Sequence, residues 1–455
     1  MKFDYETVSA VIEKNQAAYI NDLLKGIAQP SLAGTGEGIQ AMSAIVAEKL
    51  RSLGFDVEII PTEHNCPAIF AERKGASDRS ILFYNHYDVQ PADPLTEWVS
   101  GPFEPEIRND TIYGRGAMDD KGHLYCRIAA VEGMLEAWGE LPCTIRFIVE
   151  GEEEIGSPDL KTVVEQWKDR LHSDLCLWEF GDVDDDGYSI SYLGYRGMLN
   201  VQWNLRTAKC DGHSGVWGGI QVNAIWRLIE ALSSLKDADG RVRIPGFYDG
   251  TSLPTDVDMA YLAELPPMKG RYLELLESRS LITGEADGPE LIVKSVMEPT
   301  CNICGISGGY EGEGAKTIVP CMASAKTDFR LVKGQHPEDI FRKLRAYLDS
   351  EGYDDIELSI LGMLEGTQTP SDHPYVDLVS RTAVPVYGHP QRVYPMCGGS
   401  GPAFLFTDIV KTPVFTAGIG NPNSAIHSPN ENVRVVDFIN GIKHTANICA
   451  ELGRN

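Results

Sequence analysis

Apolar positions along the chain switch between a helical and an extended period, and the switches mark its elements. Over residues 5–53 they recur at helical spacing in two blocks. The second block carries Ile39, Met42, Ile45, Val46, Leu50 and Leu53 and closes at Gly54, with a Pro/Gly-containing loop between the blocks. Short apolar runs then predict strands over 55–61, 68–72 and 81–84. A helix over 123–138 and strands over 144–149 and 174–179 continue the alternation, which is the pattern of an α/β sheet with helices on its flanks.

After residue 198 the rhythm changes. A strand over 198–205, an apolar-striped helix over 223–235 and a turn-rich stretch over 237–289 are followed by a strand, helix and strand over 324–331, 337–348 and 355–361. This predicts a smaller α+β domain, residues 199–365, inserted into an α/β domain made of 1–198 and 366–455. The α/β character returns with a helix over 375–386, a strand over 412–416 and a closing helix over 436–452. A length of 455 residues, more than one ordinary core can serve, agrees with two domains.

Composition narrows the classes. With 43% hydrophobic and 23% charged residues the chain is globular, and a net charge of −26 opposes phosphate partners, excluding nucleic acid and anionic membrane surfaces. No basic-then-apolar leader opens the chain and no run has membrane-spanning length, so a cytoplasmic protein is expected. The 10 cysteines are scattered as in reduced proteins. The CxxC of Cys301-Asn302-Ile303-Cys304 lacks a second pair at zinc spacing, so it reads as structural or substrate-adjacent.

The chemistry gathers at predicted strand ends. In Asn85-His86-Tyr87-Asp88 the two-residue period puts His86 and Asp88 on one side of a carboxyl end, where open α/β sheets form their ligand crevice. An imidazole there can bind a metal while a carboxylate orients it. In Gly114-Arg115-Gly116-Ala117-Met118-Asp119-Asp120-Lys121-Gly122, glycines surround a carboxylate pair at a helix start, which would serve a ligand or a helix cap. The glutamates of Glu150-Gly151-Glu152-Glu153-Glu154 follow an apolar strand directly and would repel one another unless a cation lay among them. Glu179 ends a further apolar strand, and His427 lies on the loop after the last one.

Together with Ala425-Ile426-His427-Ser428-Pro429-Asn430-Glu431, these segments resemble the co-catalytic zinc peptidase superfamily of carnosinase-type dipeptidases, acetylornithine deacetylase, succinyl-diaminopimelate desuccinylase and glutamate carboxypeptidase. The resemblance implies a catalytic domain with a mixed central sheet flanked by helices and an inserted lid or dimerisation domain. It also implies two divalent metal ions, zinc first and manganese or cobalt also suited. His86 and Glu179 would bind one ion, Glu154 and His427 the other, and Asp119 would bridge them; Asp88 would orient His86, and Glu153 would act as general base. The peptide bond after Asp119 is expected to be cis. His213, in Asp211-Gly212-His213-Ser214-Gly215, is expected to reach a partner's active site across a homodimer, Arg330 and the Gly399-Ser400 turn to hold the substrate carboxylate, and Asn302 to add a further substrate contact.

The implied reaction is metal-dependent amide hydrolysis in small peptides, as by a dipeptidase or carboxypeptidase. Cys397 stands just before the Gly398-Gly399-Ser400 turn, where carnosinase-like relatives tend to carry an acid for a substrate amine, so an N-acyl-amino-acid deacylase is the alternative. A catalytically silent binding protein on the same scaffold is the non-enzymatic one.

Overall fold

The structure, a computed structural model, describes residues 2–454. Six strands form its central sheet in the order Asp56–Ile60, Ala68–Arg73, Thr144–Glu150, Ser80–His86, Leu175–Trp178, Val414–Thr416. The last four run parallel to one another, and the first two pairings are antiparallel. Every residue of Ser80–His86 is buried, which explains its unbroken apolar run: the sheet is covered on both faces.

Ile81 and Phe83 enter one core together with Phe147 and residues of helices Tyr5–Ala28, Lys121–Trp138 and Val435–Arg454. Leu82 and Tyr84 enter the other, under helix Leu160–Leu171 and the wide helical turn Leu405–Val410. Phe83 meets the Phe147 ring edge-on at 5.0 Å, while Tyr84 stacks on Trp178 at 4.0 Å. From strand Ser80–His86 the chain crosses through Lys121–Trp138 to a neighbour on one side, Thr144–Glu150, and then through Leu160–Leu171 to Leu175–Trp178 on the other. The strand ending at His86 therefore sits where the crossovers part, the position at which such sheets open a crevice.

A separate antiparallel sheet of four strands, in the order Thr300–Gly308, Met322–Leu331, Gly197–Arg206, Glu357–Leu364, has its own apolar cluster around Trp203, Phe329 and Leu344. Residues from helices Ala224–Ser234 and Pro337–Ser350 complete that cluster. Strand Gly197–Arg206 alternates buried with less buried positions, as a sheet with one covered face requires.

Two departures from the sequence reading have physical causes. Strand Thr300–Gly308 is an edge strand with most residues exposed, so it carries no alternation to read. The helix expected over 375–386 is two pieces, Pro374–Arg381 and Val384–Tyr387, because Pro385 cannot continue a helical ladder. Among the described residues no helix is long and apolar enough to cross a membrane.

Phe83→Ala would remove a fully buried ring from between two strands. A loss of about 3–5 kcal/mol is expected in equilibrium denaturation, and a loss below about 1 kcal/mol would contradict this packing.

Candidate active site

The four parallel strands deliver polar groups to one end of the sheet. His86 is the last residue of its strand, Glu150 the last of the next, Glu179 follows Trp178, and the loop after Thr416 leads to His427. Asp119 arrives from the turn before helix Lys121–Trp138, through an Asp119-Asp120 peptide that is cis.

Asp119 stands between the two imidazoles. Its Oδ1 lies 3.1 Å from His86 Nε2 and its Oδ2 2.9 Å from His427 Nε2. Glu154 Oε2 is 3.3 Å from His427 Nε2, and Glu179 Oε2 is 3.9 Å from His86 Nε2. Five residues far apart in sequence thus form one chain of near neighbours, Glu179, His86, Asp119, His427 and Glu154.

Behind this chain stand acids whose partners hold it in place. The His86 Nδ1 faces the Asp88 backbone oxygen at 3.1 Å and its carboxylate at 3.3 Å. That carboxylate also accepts from the backbone N–H groups of Glu153 and Glu154, at 3.3 and 3.0 Å, so Asp88 ties His86 to the glutamate loop. Asp120 accepts from the Asn85 side chain at 2.8 Å and the His86 backbone at 3.0 Å. Glu431 is buried; it accepts from Arg115 Nη1 at 2.7 Å and from the N–H groups of Gly116, Met118 and Asp119 at 3.1, 2.9 and 2.9 Å. The turn that presents Asp119 is therefore wrapped around one carboxylate.

Glu431, Arg115 and Asp120 were not given roles from sequence, although all three lie inside the motifs quoted for it. Only their hydrogen bonds separate a ligand from a group that positions one. Glu150 likewise belongs to a motif without joining the metal-facing chain: its carboxylate accepts from Tyr84 at 2.6 Å and Ser157 at 2.9 Å.

Electrostatics here follow from crowding. Burial pushes Glu153 up to about 7, with His86 partly offsetting it and the charges of Asp119, Glu154 and Asp88 adding to it. Burial also drives Glu179 well above the usual carboxylate range. Hydrogen bonds to Asp119 and Glu154 raise His427 to about 10, and although burial opposes it, contacts with Asp119 and Asp88 hold His86 well above its ordinary value. The acids thus draw positive charge inward.

Divalent cations would relieve the same repulsion, and the residues present fit them. Imidazole nitrogens and carboxylate oxygens of His86, Asp119 and Glu154 approach one another within 4.8 Å, as do those of His86, Asp120 and Glu179. Glu154 Oε1 and Glu179 Oε2 are buried without a hydrogen-bond partner. Since Asp120 already holds Asn85 and the His86 backbone, Asp119 is the acid left facing both imidazoles.

A cavity of ≈ 190 Å³ opens beside these groups, lined by Asp119, Glu153, Glu179 and His427 together with Trp178, Tyr195, Cys397, Gly399 and Ser400. Sequence reasoning gave no site role to Trp178 or Tyr195, which line the cavity while belonging to the apolar core beneath it. Arg330 does not line the cavity but donates to Ser400 Oγ at 2.8 Å, joining the inserted sheet to the cavity's edge. Neither His213 nor Asn302 lines it: His213 is exposed at the start of helix Ser214–Trp217, and Asn302 is exposed on the edge strand, paired in register with Asp328.

Comparison with known proteins places the whole chain among peptidases. A family model described as peptidase family M20/M25/M40 matches residues 82–451. The chain is similar to the mouse Beta-Ala-His dipeptidase, 28% identical over 91% of this chain and 87% of that one. It is similar to the Schizosaccharomyces pombe Cys-Gly metallodipeptidase dug1, 26% identical over 97% of each. Among solved structures, the M20 family metallo-carboxypeptidase Sso-CP2 from Sulfolobus solfataricus superposes with a TM-score of 0.88 at 33% identity, covering 96% of this chain and 99% of that one.

Glu431→Gln would leave the buried Arg115 charge without its counter-ion and turn an amide N–H toward backbone donors. A stability loss of about 3–5 kcal/mol and a roughly 10–100-fold weaker metal affinity are expected by denaturation and metal titration. Unchanged affinity would show that Asp119 does not depend on this carboxylate.

Proposed function

Because the chain belongs to peptidase family M20/M25/M40 and is a metallopeptidase, we propose that it hydrolyses the amide bond of small peptides with a free carboxyl terminus at a two-metal site. The observation that carries this reading is the convergence of Glu179, His86, Asp119, His427 and Glu154 beside a glutamate, Glu153, that contacts none of the imidazoles.

In this reading His86 and Glu179 hold one ion, Glu154 and His427 the other, and Asp119 lies between them with one oxygen toward each imidazole. Two such ions, zinc first with manganese or cobalt also suited to this donor set, would supply Lewis acidity toward the scissile carbonyl and acidify a water. Asp88 fixes the ring of His86. Glu153, which burial makes a stronger base than a solvated glutamate, takes the proton of the attacking water and passes it to the leaving amine. In this reading Glu153 would ligate neither ion, so a silent binding protein would have no use for it.

Arg330, with Ser400 and Gly399, receives the substrate carboxylate, and Asn302 adds a contact. Ser400 already meets Arg330 at 2.8 Å, which favours a recognition point formed by both parts of the chain. His213 serves a second copy of the chain, stabilising the oxyanion there. Its position outside the cavity of its own chain and the exposed apolar side chains near it, Val216, Trp217 and Ile220, support a homodimer.

One observation favours a second reading, deacylation of N-acyl amino acids. Cys397 lines the cavity, and burial raises its thiol to about 11, so a neutral group stands where a free α-amine would need a carboxylate.

Metal-reconstituted protein is expected to hydrolyse unblocked dipeptides in a chelator-sensitive way and to reject their carboxyl-terminal amides. A strong preference for N-acetyl amino acids would choose the deacylase, and turnover that survives chelation would sink both. Glu153→Gln is expected to lower kcat by roughly 10²–10⁴-fold with metal content intact. Unchanged turnover in that variant would exclude Glu153 as the base.

A further inference from the structure

The catalytic reading leaves one of the three adjacent glutamates unused. Glu154 turns toward His427 and Glu153 lines the cavity, but Glu152, which is 1% exposed, turns elsewhere. It meets Asp159 and His64, whose ligand atoms and its own all lie within 4.8 Å of one another. These residues come from two segments, the loop before strand Ala68–Arg73 and the loop between Glu150 and helix Leu160–Leu171.

The charges in this cluster do not balance. Two carboxylates, those of Glu152 and Asp159, face a single imidazole, and among the described residues no lysine or arginine forms a salt bridge with either. Asp159 Oδ2 lies 3.0 Å from His64 Nδ1 and also accepts from the His64 backbone at 3.1 Å. Glu152 Oε2 accepts from the Asp159 backbone at 3.1 Å, whereas its Oε1 is buried with no partner. The Thr62 side chain faces the same carboxylate, but a buried carboxylate oxygen left without a hydrogen bond keeps its desolvation penalty, and here it belongs to a cluster that already presents an imidazole.

We infer that His64, Glu152 and Asp159 form a third divalent-cation site, separate from the cluster around Asp119. One nitrogen and two carboxylate groups suit zinc or manganese. A separation of 3.0 Å between His64 Nδ1 and Asp159 Oδ2 is about what two ligands each roughly 2 Å from a shared ion adopt. The His64 side chain is 50% exposed, so the ion has a path from solvent and water completes its shell. The Cys66 thiol faces the His64 backbone oxygen at 3.6 Å and is not part of the set. An ion here would tie the start of helix Leu160–Leu171 to the loop before strand Ala68–Arg73, outside the cavity that Glu153 lines.

The test compares zinc bound per chain, after dialysis of the full protein against zinc, in wild type, His64→Gln and Asp159→Asn. Wild type is expected to hold one more zinc than His64→Gln, with peptide turnover of that variant near wild type. Equal zinc counts overturn the site. A lost zinc accompanied by lost turnover also overturns it, since the ion would then belong to the cleft. If Asp159→Asn fails to fold, His64→Gln decides alone, because its side chain is half exposed. The comparison is a difference in metal count, so it stands whether or not the proposed peptide chemistry is right.

Discussion

Like charges packed at the dry end of a sheet set the terms for this molecule. Four parallel strands end within reach of one another, and the groups they deliver are Glu150, Glu153, Glu154, Glu179, His86 and, through the long final loop, His427. Without compensation such a set would force its acids toward the neutral form, which is the direction seen for Glu153 and Glu179. The arrangement becomes favourable only where positive charge enters, as protons on the imidazoles or as bound cations.

A second group of carboxylates keeps that crowding ordered. Asp88 and Glu431 spend both carboxylate oxygens, and Asp120 its Oδ2, on backbone N–H groups and neighbouring side chains. Each fixes one face of the metal-facing set: the His86 ring, the His86 backbone, and the turn carrying Asp119. Hydrogen bonds to charged acceptors in a dry setting are among the stronger ones available, and they are directional, so they hold ligand atoms close together against mutual repulsion. The buried Arg115–Glu431 pair belongs to this framework rather than to the surface ion pairs, which contribute little.

The inserted sheet folds around its own apolar cluster, yet it touches the cleft at a few points. Arg330 reaches Ser400, and just before strand Gly197–Arg206 the Arg196 backbone N–H donates to the Gly399 carbonyl at 3.0 Å. Movement of one part relative to the other would therefore be felt first at the turn that closes the cavity.

The chain's periodicity alone determined the α/β character, the inserted unit and the strand ends that carry His86, Glu154 and Glu179, because local alternation records which side chains each element buries. Family resemblance in the motifs picked out Asp119 and His427. Only the tertiary structure decided that Glu431 braces the turn before Asp119 and Asp120 the His86 backbone, that Glu150 hydrogen-bonds to Tyr84 and Ser157, and that Glu152 departs toward His64 and Asp159. Adjacent glutamates look alike in a sequence, and their fates depend on which crossover loops lie beside them. The edge strand Thr300–Gly308 escaped for the same reason: its register comes from a partner strand, while its exposed side chains carry no pattern of their own.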